Sequence, residues 1–230
     1  MVLYMQTLPD PTPVFARYEA LAREADSAFS RVREAFPGCV TCHEGCGDCC
    51  HALFDLTLVE SAYLNAAFLQ AFPSGPERSA VLERAHAADR KIHAIKRRAF
   101  KAEQAGEEAA VILERIARER VRCPLLGNDD RCILYASRPV TCRVYGAPTA
   151  VGGRAHVCGK AAFARGGEYP TVTLDRIHER LASLSREFAA HMQSGFAAVH
   201  TVLVPVSMAL ITTYDAAYYG IGKNTGAANG

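Results

Sequence analysis

Cys46-Gly47-Asp48-Cys49 sets two thiols three residues apart, a spacing at which one turn can offer both to a single metal ion. Cys39-Val40-Thr41-Cys42 repeats the spacing, and Cys50 follows Cys49 directly. Five of the nine cysteines therefore fall within CVTCHEGCGDCCH, residues 39–51. The other four, Cys123, Cys132, Cys142 and Cys158, lie beyond a long cysteine-free stretch. An odd number excludes complete disulfide pairing within one chain. The opening residues lack the basic, apolar and small-residue segments of a secretory signal, so the expected location is a reducing cytoplasm. Clustered cysteines there point to metal or redox chemistry, because thiolates are good ligands for soft and borderline metals.

The candidate metal ligands are Cys46, Cys49, Cys50, Cys123, Cys132, Cys142 and Cys158. Cys39 and Cys42 are either additional ligands or a local dithiol. Adjacent side chains usually point apart, so Cys49 and Cys50 rarely serve one tetrahedral ion together. Seven candidates also exceed the four thiolates of a common iron–sulfur cluster. Either there are two metal sites, or one site has spare thiols beside it. His43, His51 and His156 neighbour cysteines, but with so many thiolates present a packing or surface role is expected for each. Arg138 and Arg143 flank Cys142, where a guanidinium either offsets thiolate charge or braces loop carbonyls.

Helices must position these loops. Val14, Tyr18, Leu21, Ala25, Ala28 and Val32 recur at helical spacing and predict a flanking helix over 13–36, stopped by Phe36-Pro37-Gly38. Thr57 and Glu60 have capping-box spacing, which predicts a helix over 58–72. Val81, Ala85, Ala88, Ile92, Ile95, Ala99 and Ala102 mark a long helix that breaks near Gly106. A further helix is expected with Ala109, Leu113 and Ile116 inward. Thr173 as N-cap and the stripe Leu174, Ile177, Leu181, Leu184 and Phe188 open a second flanking region, 174–213. Its apolar part, 196–213, contains His200 and Pro205 and reads as a buried segment, a helix bent at Pro205, and not a membrane span. Residues 123–158 read as loop, punctuated by Pro124, Pro139 and Gly152-Gly153, and the Gly/Asn-rich end from 222 as disordered. Strand signals are few. The expected architecture is a mainly α single domain, 1–230. Helical bundle or hairpin elements carry two irregular cysteine-rich loops, which converge on a metal site within a core of about 39–160.

Bulk properties agree with this class. The chain has 230 residues, 50% hydrophobic and 22% charged, with a formal net charge of +2. Nothing in that balance draws the whole molecule to nucleic acid or membranes. The basic residues Arg90, Lys91, Lys96, Arg97, Arg98 and Lys101 cluster on the long helix and read as a solvated face.

Three blocks carry a resemblance to a known family: Cys46-Gly47-Asp48-Cys49-Cys50, then Cys123-Pro124-Leu125-Leu126, then Cys132-Ile133-Leu134-Tyr135 leading through Arg138-Pro139 to Cys142-Arg143. Together they resemble the YkgJ-type cysteine-cluster proteins of the CxxCxxCC family, over roughly Cys42 to Cys158. Cys42-x3-Cys46 departs from that signature by one extra residue. The resemblance implies iron–sulfur or zinc binding, and some relatives carry the domain in flagellin lysine methylation. It supplies no general reaction.

The expected function is that of an iron–sulfur or iron protein with a redox or enzyme-accessory role. The alternatives are a structural zinc module that mediates a protein interaction, and a metal-dependent modification enzyme. Cys42, Cys46 and Cys49 also have C-x3-C-x2-C spacing, and Gly166-Gly167-Glu168 follows. A radical S-adenosylmethionine enzyme is nevertheless disfavoured, because no run of alternating strands and helices is present. A thioredoxin-like oxidoreductase lacks its βαβ context. No catalytic residue is assigned, and the partner or substrate stays open.

Overall fold

A computed structural model describes residues 8–43 and 45–221. The expected disordered end from 222 lies outside the described residues. Seven α-helices occur among them: α1 Thr12–Ala35, α2 Leu58–Ala71, α3 Pro76–Gln104, α4 Ala109–Arg118, α5 Val140–Val144, α6 Leu174–His191 and α7 Val206–Ile211. The strands are two or three residues long: β1 Asp55–Leu56, β2 Thr149–Val151, β3 Arg154–His156, β4 Val172–Thr173 and β5 Val204–Pro205. The protein is mainly helical with cysteine-rich loops, as its periodicity predicts.

Helix α2 is the centre. Leu58, Val59, Ala62, Leu64 and Phe68 are all buried, and they face two ways. Leu58, Val59 and Ala62 join Val14, Tyr18, Leu21 and Ala25 of α1, Val140 and Val144 of α5, and Leu181 and Phe188 of α6 in one apolar core. Leu64 and Phe68 join Val81 and Ala85 of α3, Ala209 and Leu210 of α7, and Leu125 and Leu134 in another. A helix buried on both sides has little amphipathic contrast, so its pattern reads as apolar without revealing its central place. The expected capping box closes its N-terminus, with Thr57 and Glu60 each bonded to the other's backbone. Buried Asn65 fastens α7 by donating from Nδ2 to the carbonyls of Ala209, at 2.9 Å, and Thr212, at 3.1 Å.

The long helix α3 ends where Gly106 takes a left-handed φ of +83° and Glu107 N–H reaches back to Ala102 O. Its buried stripe is Val81, Ala85, Ala88, Ile92 and Ile95, the first five of the seven expected residues; Ala99 and Ala102 are only half-buried. On its basic face, Lys96 pairs with Asp55 and Arg98 with Glu119.

Three expectations need correction. In α4 the buried residue is Ile112, and the expected Ile116 packs against Ala88, Ile92 and Ile95; Ala109 is exposed and Leu113 is 65% exposed, so those two do not face inward. The second flanking helix does not extend to 213. It stops at His191, where Gln193 adopts φ +53° and Ser194 N–H donates to Ala189 O. That helix end normally advertises itself by glycine, and here glutamine occupies the left-handed position. Beyond it lie a 3-10 turn at Val199–Thr201, then β5 paired antiparallel with β1, then α7. Pro205 therefore sits in a strand pairing with Asp55 and not at a helix bend. Lastly, residues 123–158 are not loop throughout. They contain α5 and a β2–β3 hairpin that turns on Gly152 (φ +55°) and Gly153 (φ +73°). A Gly-Gly pair is a recognised two-residue hairpin signal. No helix among the described residues is long and apolar enough to cross a membrane.

Candidate metal centre

The first cysteine loop leaves α1 at Phe36, whose carbonyl accepts from Cys39 and Val40 N–H. It ends in a 3-10 turn at Cys49–His51. The second loop is sewn onto that turn by backbone bonds. Cys123 N–H donates to Cys50 O at 2.7 Å, and Val121 N–H to His51 O at 3.1 Å. Cys132 is then returned toward Cys123 by a tight hairpin, with Leu126 bridged to Cys132 and Ile133 N–H donating to Leu125 O at 2.9 Å. Asp130 takes φ +58° in its turn. Cys142 rides on α5, which packs against α1. The Cys158 segment is fastened to the first loop from the far side. Thr41 Oγ1 donates to Lys160 O at 2.8 Å, and Ala162 N–H to Cys39 O at 2.8 Å.

These connections put seven cysteines around one cavity of about 240 Å³: Cys42, Cys46, Cys49, Cys50, Cys132, Cys142 and Cys158. Cys123 lies behind them, on a second cavity of about 50 Å³ that Cys49, Cys50, Cys132 and Cys142 also line. Cys42, one of the two thiols whose role the spacing leaves open, thus joins the group, whereas Cys39 is not on either lining. Gly146 makes the approach of Cys42 possible, because a Cβ there would stand 2.2 Å from the Cys42 sulfur. All nine cysteines are unpaired thiols. Among the described residues, no three Cys, His, Asp or Glu side chains stand close enough to hold one metal ion without adjustment.

Charge and burial shape the thiols. Burial pushes Cys42 up to about 11, helped by Cys46, Cys158, Cys49 and Asp48. Burial likewise raises Cys123 to about 12, and it raises Cys132, Cys142 and Cys158. Cys49 is the exception. A hydrogen bond from Cys50, with the Arg138 charge nearby, lowers it to about 7, and the same bond drives Cys50 upward. Asp48 is pushed up by burial, but donation from Cys158 and the charge and bond of Arg120 outweigh that and hold its carboxyl below the usual range. The contacts are Cys158 Sγ to Asp48 Oδ2 at 3.3 Å and Arg120 to Asp48 Oδ1 at 2.6 Å.

Arg138 and Arg143 both line the larger cavity and both brace it. Arg143, 8% exposed, donates to Asp26 of α1, to Ala136 O at 2.6 Å and to Arg138 O at 2.9 Å. Arg138 donates to the same Asp26 at 3.1 Å and lies 3.9 Å from the centroid of the Tyr135 ring. The two roles weighed for these arginines are therefore compatible: they tie the second loop to α1 and leave cationic walls beside the thiols. Of the histidines, His43 lines the cavity, His51 bonds Gly47 O through Nδ1 at 3.0 Å, and His156 sits exposed on β3. Asp48 and Arg120 are site residues that cysteine spacing does not find, since neither belongs to a metal-ligand pattern.

A soft, thiol-rich donor set with cationic walls fits a metal of zinc or iron type. Ligation would displace the protons that burial holds on these sulfurs. The arrangement defines a cysteine-cluster protein carried on a helical scaffold. The chain belongs to the CxxCxxCC family, described as a proposed zinc- or iron-chelating domain, which matches residues 41–159, just over half of its length. No curated protein and no solved structure matches it.

Proposed function

We propose that the chain is an iron–sulfur protein whose cluster serves a redox or enzyme-accessory role in the cytoplasm, with the cavity cysteines as ligands. The observation that supports this reading is the space itself. A structural zinc ion is closed in by four ligands at about 2.3 Å and needs no void. Seven thiols here line about 240 Å³, many times the ~10–15 Å³ that a cavity needs to hold one water molecule. An inorganic cluster of iron and sulfide uses such room and takes cysteine ligands. Bound there, it would supply one-electron chemistry. Arg138 and Arg143 would offset the thiolate charge, and donors near the sulfurs would tune the potential.

Full-length protein purified without oxygen is expected to be brown and to contain iron with acid-labile sulfide. Colourless protein with stoichiometric zinc, and no labile sulfide after anaerobic reconstitution, establishes the structural zinc module instead.

A further inference from the structure

We propose that the cavity between α6, the start of α2 and residues 200–203 binds a small organic acid, an apolar body carrying one carboxylate. The cavity measures about 680 Å³, against about 240 Å³ for the larger thiol cavity, and no cysteine lines it. Small-molecule sites typically occupy about 300–1,000 Å³ and set a few convergent polar groups in an apolar lining.

Three segments build it. On α6, Leu174, His178, Ala182 and Arg186 recur every four residues and so share one face, with Leu181 beside them. Phe54, Thr57 and Glu60 form a second wall, where β1 leads into α2. His200, Thr201 and Leu203 form a third, and the pairing of β5 with β1 holds it beside the second. Leu181 and Glu60 are buried at the bottom, whereas Arg186, His178 and Leu203 are exposed, so the mouth opens to solvent.

The charges select the ligand. Two acids lie on the lining, and both are committed. Asp55 pairs with Lys96, and the oxygens of Glu60 accept from Thr57 and Val140. Among the described residues, the side chains of Arg186, His178 and His200 make no ion pair or hydrogen bond within the chain. Arg180 of the same helix, by contrast, is held through two nitrogens by Glu24. With histidine neutral, Arg186 is the one uncommitted charge on the lining. One guanidinium balances one carboxylate and matches its geometry, and each neutral imidazole still has an N–H to donate. A phosphate, with its second negative charge, would be left partly unbalanced. Leu174, Leu181, Leu203 and Phe54 offer the apolar body its contact.

The place of the cavity gives it interest. Thr141, which precedes Cys142, lines it, and Phe54 lines both it and the smaller thiol cavity. The acid site and the thiols are therefore neighbours across Phe54 and the first turn of α5. The acid site uses no thiol, so its failure leaves the thiolate–metal reading intact.

The test is calorimetric titration of octanoate and of 4-phenylbutyrate into the full-length protein as purified, with octan-1-ol and octyl phosphate as comparisons. At least one of the two carboxylates is expected to bind at one site per chain, with the alcohol and the phosphate about tenfold weaker or worse. Arg186→Ala should weaken the carboxylate by about tenfold or more, and so should Leu203→Glu, which sets a like charge at the exposed rim. Arg180→Ala, on another face of α6, should change nothing, and far-UV circular dichroism reports that each variant is folded. Binding of neither carboxylate overturns the proposal. So does unchanged affinity in folded Arg186→Ala or Leu203→Glu, or an equal loss in Arg180→Ala. Octyl phosphate or octan-1-ol binding as tightly as octanoate overturns the carboxylate assignment.

Discussion

Glu60 shows how much one buried side chain can organise. It is 4% exposed, yet it accepts from Thr57 N–H at 3.2 Å, from Thr57 Oγ1 at 3.1 Å and from Val140 N–H at 3.2 Å. It caps α2 and holds the first turn of α5, the helix that carries Cys142. Burial raises its carboxyl above the usual range, and the bonds from Thr57 and Val140 offset this only in part. The folded state therefore keeps a proton that the unfolded chain has already released. The associated stability is present below the unfolded carboxylate value, about 4.3, and is lost as pH rises through the higher folded value. Urea unfolding of wild type and Glu60→Gln from pH 4 upward should show wild type losing stability relative to the variant. Parallel curves would falsify the coupling. The capping role is legible in the Thr57-x-x-Glu60 spacing. The bond to Val140 is not, because it joins residues 80 positions apart.

Among the elements, those with strong period and ordinary caps are the ones that can be read from the residues. Helices α1 and α3 have apolar stripes at steps of three and four, and a Pro-Gly or Gly stop. The end of α6 is hidden because Gln193 does the work of glycine there at a left-handed φ of +53°. A side chain in that region costs about 1 kcal/mol or more relative to glycine. Gln193→Gly is accordingly expected to raise stability by about 0.5–1 kcal/mol, after allowance for the greater freedom of glycine in the unfolded chain. A thermal unfolding midpoint that falls would show that the Gln193 side chain contributes more than its backbone costs. The α4 stripe misleads for another reason. A ten-residue helix beside Gly106 and residues 119–122 has too few turns to reveal its phase, and Ile112, Leu113 and Ile116 allow two inward faces.

Across the whole molecule, the apolar cores and the thiol cavities are largely distinct. The α1–α2–α5–α6 core contains no cysteine, and the α2–α3–α7 core is touched by Cys123 and Cys132 at its margin. Helices α1 and α6, wholly outside the family match at 41–159, pack on α2 and α5 within it. Removing metal should therefore loosen the cysteine loops and spare the helices. Amide exchange of the chelated protein is expected to rise in 39–51 and 123–134, with α1, α2 and α6 protected and far-UV helicity unchanged. Global loss of helicity on chelation would instead make the metal part of the folding core. The chemistry of the site is written in residue type and local spacing, because a thiol's affinity for soft metals belongs to its sulfur and a C-x2-C turn brings two together without help. The helical class follows likewise from period. Which thiols face one another is another matter. That rests on backbone bonds such as Cys123 to Cys50 and on the close passage of Cys42 over Gly146, contacts between residues about a hundred or more positions apart in the second case and seventy-three in the first. No local pattern encodes such pairings, since they are set by how α2 and α3 pack between the two loops.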